Sequence, residues 1–506
     1  MDIRSKLVIK NTIYMYLRLF LTLVIGFLTS RVILRVLGVE DFGIYNLVGG
    51  IVTLFLFVNQ ALSSSTQRYI TYDLGTKNTE NLNATFYMCM NAHILFSLII
   101  FIALEIVGII FLNGILDINE DRLYAAHWVF QCMTVSSIIG ILRVPYSSLI
   151  TADEKFGFIS FVGIVEPLLK LLILYVLVII NIDKLILYSV LFMGVTFVTT
   201  FMYVGYCKRH YSEAIKFKID LGITKMKGFL KFSGLSLYEQ IAVVCSYQGV
   251  DILLNLYHGV VVNAAMGIAK QVQAAVFNFI SGFQSAMSPQ ITKSYAAKDD
   301  TYLTKLMKSI PKYSLYLILV LSLPIMFNMD ELLKLWLVEY PDHTRLFCQL
   351  ILISCVLESV SLPYRTLIYA EGRIVKYQLI IGSCFLINLL GSYIFLYLGF
   401  QPEVVLIIRV LVYFMIDVIR LIFYKVLYKG NFVKYLWDTF GRVFIYTALC
   451  IPLMMFINMQ METNLVFRLL FSYITLLGVL VFVGLNSEER ITIYQTVKAR
   501  LIKNEK

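Results

Sequence analysis

Two cations buried in apolar sequence, Arg18 and Lys270, are the residues best placed to do chemistry. Arg18 sits inside the apolar run from Ile13 to Leu34, and Lys270 sits well inside another. An unpaired cation at the centre of a bilayer costs at least about 2.5 kcal/mol. Each must therefore face water, a counter-charge or an anionic ligand. Neither stands alone on its helix. At about 100° per residue, Asn11, Arg18, Thr22 and Thr29 share one narrow wedge, as do Ser233, Gln240, Tyr247 and Asp251. A third stripe holds Asn46, Thr53, Gln60 and Ser64, and a fourth holds Asn263, Lys270, Gln273, Ser281 and Gln284. A lone polar residue in an apolar helix is usually glue between helices. Four aligned stripes are better explained by a water-filled cavity. The candidate substrate-binding set is Arg18, Lys270, Asn46, Gln60, Gln240, Tyr247, Gln273 and Gln284.

Three acids, Asp251, Glu358 and Glu166, are candidates for coupling to an ion. Asp251 is also close enough to a helix end to be interfacial. Glu166 precedes Lys170 by four residues, the favourable order for an intrahelical pair, and a structural ion pair is the favoured reading. Asp417 and Arg420 read likewise. Glu358 has no local partner in sequence, so a cross-helix pair and a coupling site stay open. Arg143 and Arg365 lie near helix ends and are expected to snorkel. The eight cysteines are scattered without a CxxC, and the five histidines have no paired-ligand spacing, so no metal site is expected. No Gly-Lys dipeptide occurs, which excludes a Walker A loop, and no GxSxG is present. No cofactor and no catalytic residue are expected; the energy must come from a gradient, the membrane potential or a partner.

The elements that carry these residues follow from composition. The chain has 506 residues, 59% apolar and only 15% charged, with a mean hydropathy of +0.79. At about 20 residues per span, the apolar fraction fills about fourteen helices and leaves no room for a soluble domain. This excludes a soluble enzyme, a nucleic-acid binder, a single-span receptor and an outer-membrane barrel, whose strands would alternate. The expected class is an all-α polytopic membrane protein, with spans near 11–34, 42–63, 85–112, 124–150, 158–180, 185–206, 229–256, 262–287, 313–329, 346–369, 377–398, 402–424, 439–458 and 465–485. In this scheme the loops on one side hold only five cations: Arg35, Arg122, Lys184, Lys334 and Arg345. The opposite loops and both ends hold more than five times as many. The positive-inside bias then puts both termini in the cytoplasm, and the net charge of +11 reflects those loops rather than nucleic acid.

An internal repeat organises the spans. Residues 144–155 read VPYSSLITADEK and 362–373 read LPYRTLIYAEGR, with Pro, Tyr, Leu, Ile and Ala identical. These windows end spans four and ten. Phe42-Gly43-Ile44 is echoed by Met266-Gly267-Ile268, entering spans two and eight. An even separation makes the halves parallel repeats about an axis along the membrane normal. The polar stripes follow the same relation: adding 222 carries Arg18 to Gln240 and Thr29 to Asp251, and adding 224 carries Asn46 to Lys270. The expected division is an N-terminal six-helix lobe (1–208), a C-terminal six-helix lobe (209–430) and an extra helix pair with a tail (431–506). A substrate path between lobes, opened by rocking, is the usual plan for such a repeat.

The stretch LGVEDFGIYNLVGG (37–50), followed by SSSTQRY (63–69), closely resembles bacterial polysaccharide-biosynthesis flippases of the O-antigen (Wzx) type. The window LPYRTLIYAEGR also resembles that family. These flippases belong to the multidrug/oligosaccharidyl-lipid/polysaccharide exporter (MOP) superfamily, with the MATE antiporters and the lipid II flippase. The resemblance implies a MATE-like fold in the bacterial inner membrane. It also implies a function: flipping an undecaprenyl-diphosphate-linked oligosaccharide to the periplasmic leaflet for surface polysaccharide synthesis. The implied partners are that substrate, the bilayer, H+ or Na+ as coupling ion, and other polysaccharide-assembly proteins. A diphosphate calls for cations and a sugar for amides and hydroxyls. Related flippases carry cavity cations on helices 1, 2 and 8. Arg18 and Lys270 match in charge type, and Asn46 departs on helix 2. Two other readings are a cation-coupled multidrug exporter of the same fold and a membrane glycan polymerase or ligase. The short outward loops count against the latter.

Overall fold

A computed structural model describes residues 3–53, 56–76, 79–114, 120–180, 182–215, 223–337, 339–372, 374–428, 430–460, 464–487 and 489–491. The described residues form helices and no strand. Each of the fourteen expected spans falls on helix. We number them α1 (3–37), α2 (39–53 and 56–76), α3 (Thr79–Gly114), α4 (Glu120–Ala152), α5 (Phe156–Ile179), α6 (Lys184–His210), α7 (223–258), α8 (260–296), α9 (Asp300–Phe327), α10 (Thr344–Glu371), α11 (Ile374–Tyr397), α12 (Val404–Leu427), α13 (Phe432–Gln460) and α14 (Leu465–Gly484). Among the described residues, nine of these helices are long and apolar enough to cross a membrane by composition alone. Helices such as α12 carry too many buried charges to satisfy that measure.

Two glycines make the sharp junctions. Gly38 joins α1 to α2 at φ 82°, ψ 172°, and Gly259 joins α7 to α8 at φ 81°, ψ −175°. This backbone region is open essentially to glycine alone. The repeat windows 144–155 and 362–373 have a backbone cause as well. Pro145 and Pro363 lie inside α4 and α10, and each helix then ends on a left-handed residue, Glu154 (φ 62°) and Gly372 (φ 90°). These two residues occupy the same position of the aligned windows.

Packing repeats in the same way. The contacts of α3 with α4, α4 with α6 and α5 with α6 recur as α9 with α10, α10 with α12 and α11 with α12. The chain divides into two compact units: residues 11–241, and residues 1–10 with 242–506. Within the first, Val48, Leu62, Ala92, Leu104 and Phe130 form a buried core. Within the second, Leu254, Ile280, Ile318, Phe347 and Ile351 do so. The apolar surface points outward, as a bilayer requires: Phe20, Ile109, Phe201 and Val426 are all exposed. The final pair, α13 and α14, packs on α9. Arg468 of α14 donates to Asn328 at 2.6 Å and pairs with Glu331, at one end of α9. Lys312 pairs with Glu489 at 2.8 Å towards the other end.

Candidate functional site

In the unit of residues 11–241, charged side chains converge inside the helices. The stem of Arg18 lies on α5 at Gly163, where a Cβ would stand 2.5 Å from Arg18 Cδ. Glycine is needed here because of that approach. Thr22, one turn on, donates to the Gly163 carbonyl at 3.3 Å. Glu166 accepts from Lys170 at 2.7 Å, the intrahelical pair expected from their spacing, and Lys170 Nζ also lies 4.4 Å from the Phe192 ring centre. Arg143 does not snorkel: it donates to Thr199 at 3.1 Å and covers the Tyr203 ring at 5.5 Å. Tyr203, buried in α6, senses the charges of Arg143, Arg18 and Glu166 together. The cluster thus gathers three cations and one carboxylate from α1, α4 and α5 around Thr199 and Tyr203 of α6.

The second acid of the 37–50 motif has a different task. Asp41, in the first turn of α2, binds Arg122 at the start of α4. Arg122 also donates to Asp183 at 2.6 Å. Asp183 in turn caps α6 by accepting from the Leu185 and Ile186 amides. One guanidinium therefore ties three helix ends.

The unit of residues 242–506 holds a second buried polar group. Arg409 of α12 donates to the Tyr247 hydroxyl at 2.8 Å and covers its ring at 4.4 Å. Tyr247 and Tyr413 share a hydrogen bond of 2.6 Å. Glu358 of α10 faces the same group, within electrostatic reach of Tyr413, Arg409, Arg365 and Arg420. Arg409, Tyr413 and Arg420 lie across on α12, whereas Arg365 is on α10 itself. Asp417 accepts from Ser361, and Arg420 donates to Tyr377 at 2.8 Å.

Lys270 and Asp251 come together as an ion pair. They lie on either side of Gly259, so their contact shows α7 and α8 folding back on each other. The sequence placed both on polar faces but did not join them; the hairpin does. Asp251 Oδ1 remains buried without a partner. Gln284 is fully engaged elsewhere, donating to the Ser359 carbonyl at 2.6 Å and to Ser314 at 3.1 Å. It joins α8 to α9 and α10. Gln60 is exposed, and Gln240 and Gln273 are half-buried. The side chain of Asn46 lies outside the described residues.

Sequence reasoning passed over Arg409, Tyr413 and the Arg143–Tyr203 contact. The signal was present for α12: residues 409, 413, 417 and 420 recur every three or four positions and so share one face. Tyr203 carried no such signal, because a tyrosine in an apolar run reads as packing.

No protein-family model matches the chain, and no curated relative matches its sequence. Solved structures do match in fold. A MATE in the bent conformation superposes with a TM-score of 0.71 at 14% identity, over 82% of this chain and 93% of that one. An outward-facing multidrug resistance MATE family transporter of the MOP superfamily gives 0.70 at 13%, over 82% and 93%. A MOP superfamily transporter from Pyrococcus furiosus, whose description cites a binding pocket of reverse polarity, gives 0.66 at 13%, over 82% and 94%. The chain has the MATE transporter fold, in a multi-pass all-helical membrane protein.

Proposed function

We propose that this chain is a flippase for a lipid-linked oligosaccharide. It would carry an undecaprenyl-diphosphate-linked glycan across the inner membrane by alternating access, for surface polysaccharide synthesis. The observation that supports this reading is the excess of cations in the first unit, where Arg18 and Arg143 lie within electrostatic reach of Tyr203 beside the Lys170–Glu166 pair. A diphosphate leaving water loses its hydration, and fixed cations replace it. Arg18 supplies a planar fork for two phosphate oxygens, and the Thr22, Thr199 and Tyr203 hydroxyls suit the flanking sugar. Asp251 serves as the coupling acid in this reading. It is paired with Lys270 across the Gly259 turn. The lobes 1–208 and 209–430, the added pair 431–506 and cytoplasmic termini belong to the same proposal.

A cation-coupled drug exporter is the second reading, favoured by the match to a multidrug resistance MATE transporter. Deleting the gene separates the two. The flippase reading expects lipid-linked oligosaccharide to accumulate facing the cytoplasm, with unchanged sensitivity to cationic drugs. Drug sensitivity without that accumulation would overturn it.

A further inference from the structure

A cleft of about 740 Å³ opens where the last helix pair meets α9. It lies wholly within the second unit and apart from the polar groups described above. Lys305, Lys308, Lys312 and Arg442 line it, against Asp438 and Glu489. Lys312 is held by both Glu489 oxygens at 2.8 Å, Lys308 by Asp438 at 2.8 Å, and Arg442 donates to the Leu485 carbonyl at 3.2 Å. Lys305 is exposed at the rim. The cleft therefore keeps an excess of two positive charges after its internal pairs are formed.

Three further observations point to a ligand. Both helices of the pair switch to π-helix beside the cleft, at Trp437–Gly441 and Leu480–Gly484. Such bulges are costly and recur at functional sites. Asn486 Oδ1 lines the cleft, buried and without a partner, so it can accept from a hydroxyl. The rim then runs into bare apolar surface: Trp437 is 69% exposed, and Phe444 and Phe482 are each 75% exposed. Tryptophan beside lysine at a helix end is the pattern of the membrane–water interface. A soluble phosphate would make no use of that apolar rim.

We propose that this cleft binds the headgroup of an anionic, hydroxyl-bearing phospholipid. Its phosphodiester would sit among Lys305, Lys308 and Arg442, its headgroup hydroxyl on Asn486, and its acyl chains along Trp437 and Phe444. The bound lipid would join α9 to α13 and α14. This end of the bundle is the one rich in Lys and Arg, where anionic lipid is attracted.

Brominated lipids test the assignment by quenching tryptophan at contact. The full chain carrying Trp128→Phe and Trp336→Phe, both at exposed positions, reports from Trp437 alone. Brominated phosphatidylglycerol should quench at lower mole fraction than brominated phosphatidylcholine. Lys305→Gln and Arg442→Gln should each reduce that preference about fivefold. Quenching by phosphatidylcholine should stay unchanged in both, which separates loss of the site from loss of fold. Equal quenching by the two lipids would overturn the proposal, as would a preference that survives both substitutions. Inorganic phosphate protecting Trp437 as effectively as the lipid would make the cleft a soluble-anion site and overturn the lipid assignment.

Discussion

At the scale of single residues, charge placement inside the bilayer carries the account. Lys270 and Asp251 answer each other, so removing either strands the other at a cost of about 2.5 kcal/mol. Lys270→Ala should lower the unfolding temperature in detergent. Adding Asp251→Ala should restore it, because no lone charge is left. Transport separates the roles: a merely structural pair predicts recovery by the double variant, and the coupling reading predicts none. Gly163→Ala makes a second test without altering any charge. The new methyl group would meet Arg18 Cδ and push the guanidinium aside. We expect a transport loss of about tenfold with normal insertion, checked by flux per inserted molecule. Sequence alone placed Arg18 and Lys270 on polar faces of their helices. It could not tell which cation is paired, because pairing across Gly259 depends on how far each residue stands from the turn. Nor could it show that Arg143 turns inward, since a helix-end arginine can reach water or a neighbour.

At the scale of elements, two backbone devices recur in each half. Alanine at Gly38 or Gly259 would meet no atom within 4 Å, so any penalty comes from the backbone conformation alone. That penalty is about 1–3 kcal/mol. Gly38→Ala and Gly259→Ala should each destabilise the protein by that amount in chemical unfolding, and alanine at Gly267, which also has open space but an ordinary helical backbone, should cost far less. The helix pair offers a pH test. Burial pushes the Glu489 carboxyl up, but hydrogen bonds from Lys312 and the Asn486 amide outweigh it and hold it below the ordinary range. A depressed carboxyl stabilises above its unfolded value. The tie of α14 to α9 should therefore be complete at neutral pH and fail only as pH falls below the ordinary glutamate range. Proteolysis of the C-terminal segment followed against pH would show this, and Glu489→Gln should remove the dependence. The repeat was legible because the Pro145 and Pro363 windows are backbone requirements written in residue type; the matching Gly38 and Gly259 junctions emerge only from the backbone angles. The π-helical segments were not legible, because they arise from packing against α9.

At the scale of the whole molecule, hydropathy and loop charge carry most of the information. Helix number and type follow from apolar runs of membrane length, and the structure places helix on every one. Reporter fusions after Lys305 should read cytoplasmic, and fusions near His258 and Asp342 should read periplasmic; one firm reversal would break the fourteen-span arrangement. The MATE fold sets a frame shared by transporters of different cargo, so cargo must be read from charge in the helices. The most direct measurement is flipping of a fluorescent undecaprenyl-diphosphate oligosaccharide by the purified protein in proteoliposomes. It is read as protection from a membrane-impermeant quencher, for wild type, Arg18→Lys and Arg18→Ala. Loss of a charge-assisted contact of about 1.5–3 kcal/mol predicts a rate roughly ten- to a hundredfold lower for Arg18→Ala, with Arg18→Lys between. Wild-type flipping by a stably inserted Arg18→Ala variant would contradict the account, as would a wild-type protein that moves cationic drugs but not the lipid.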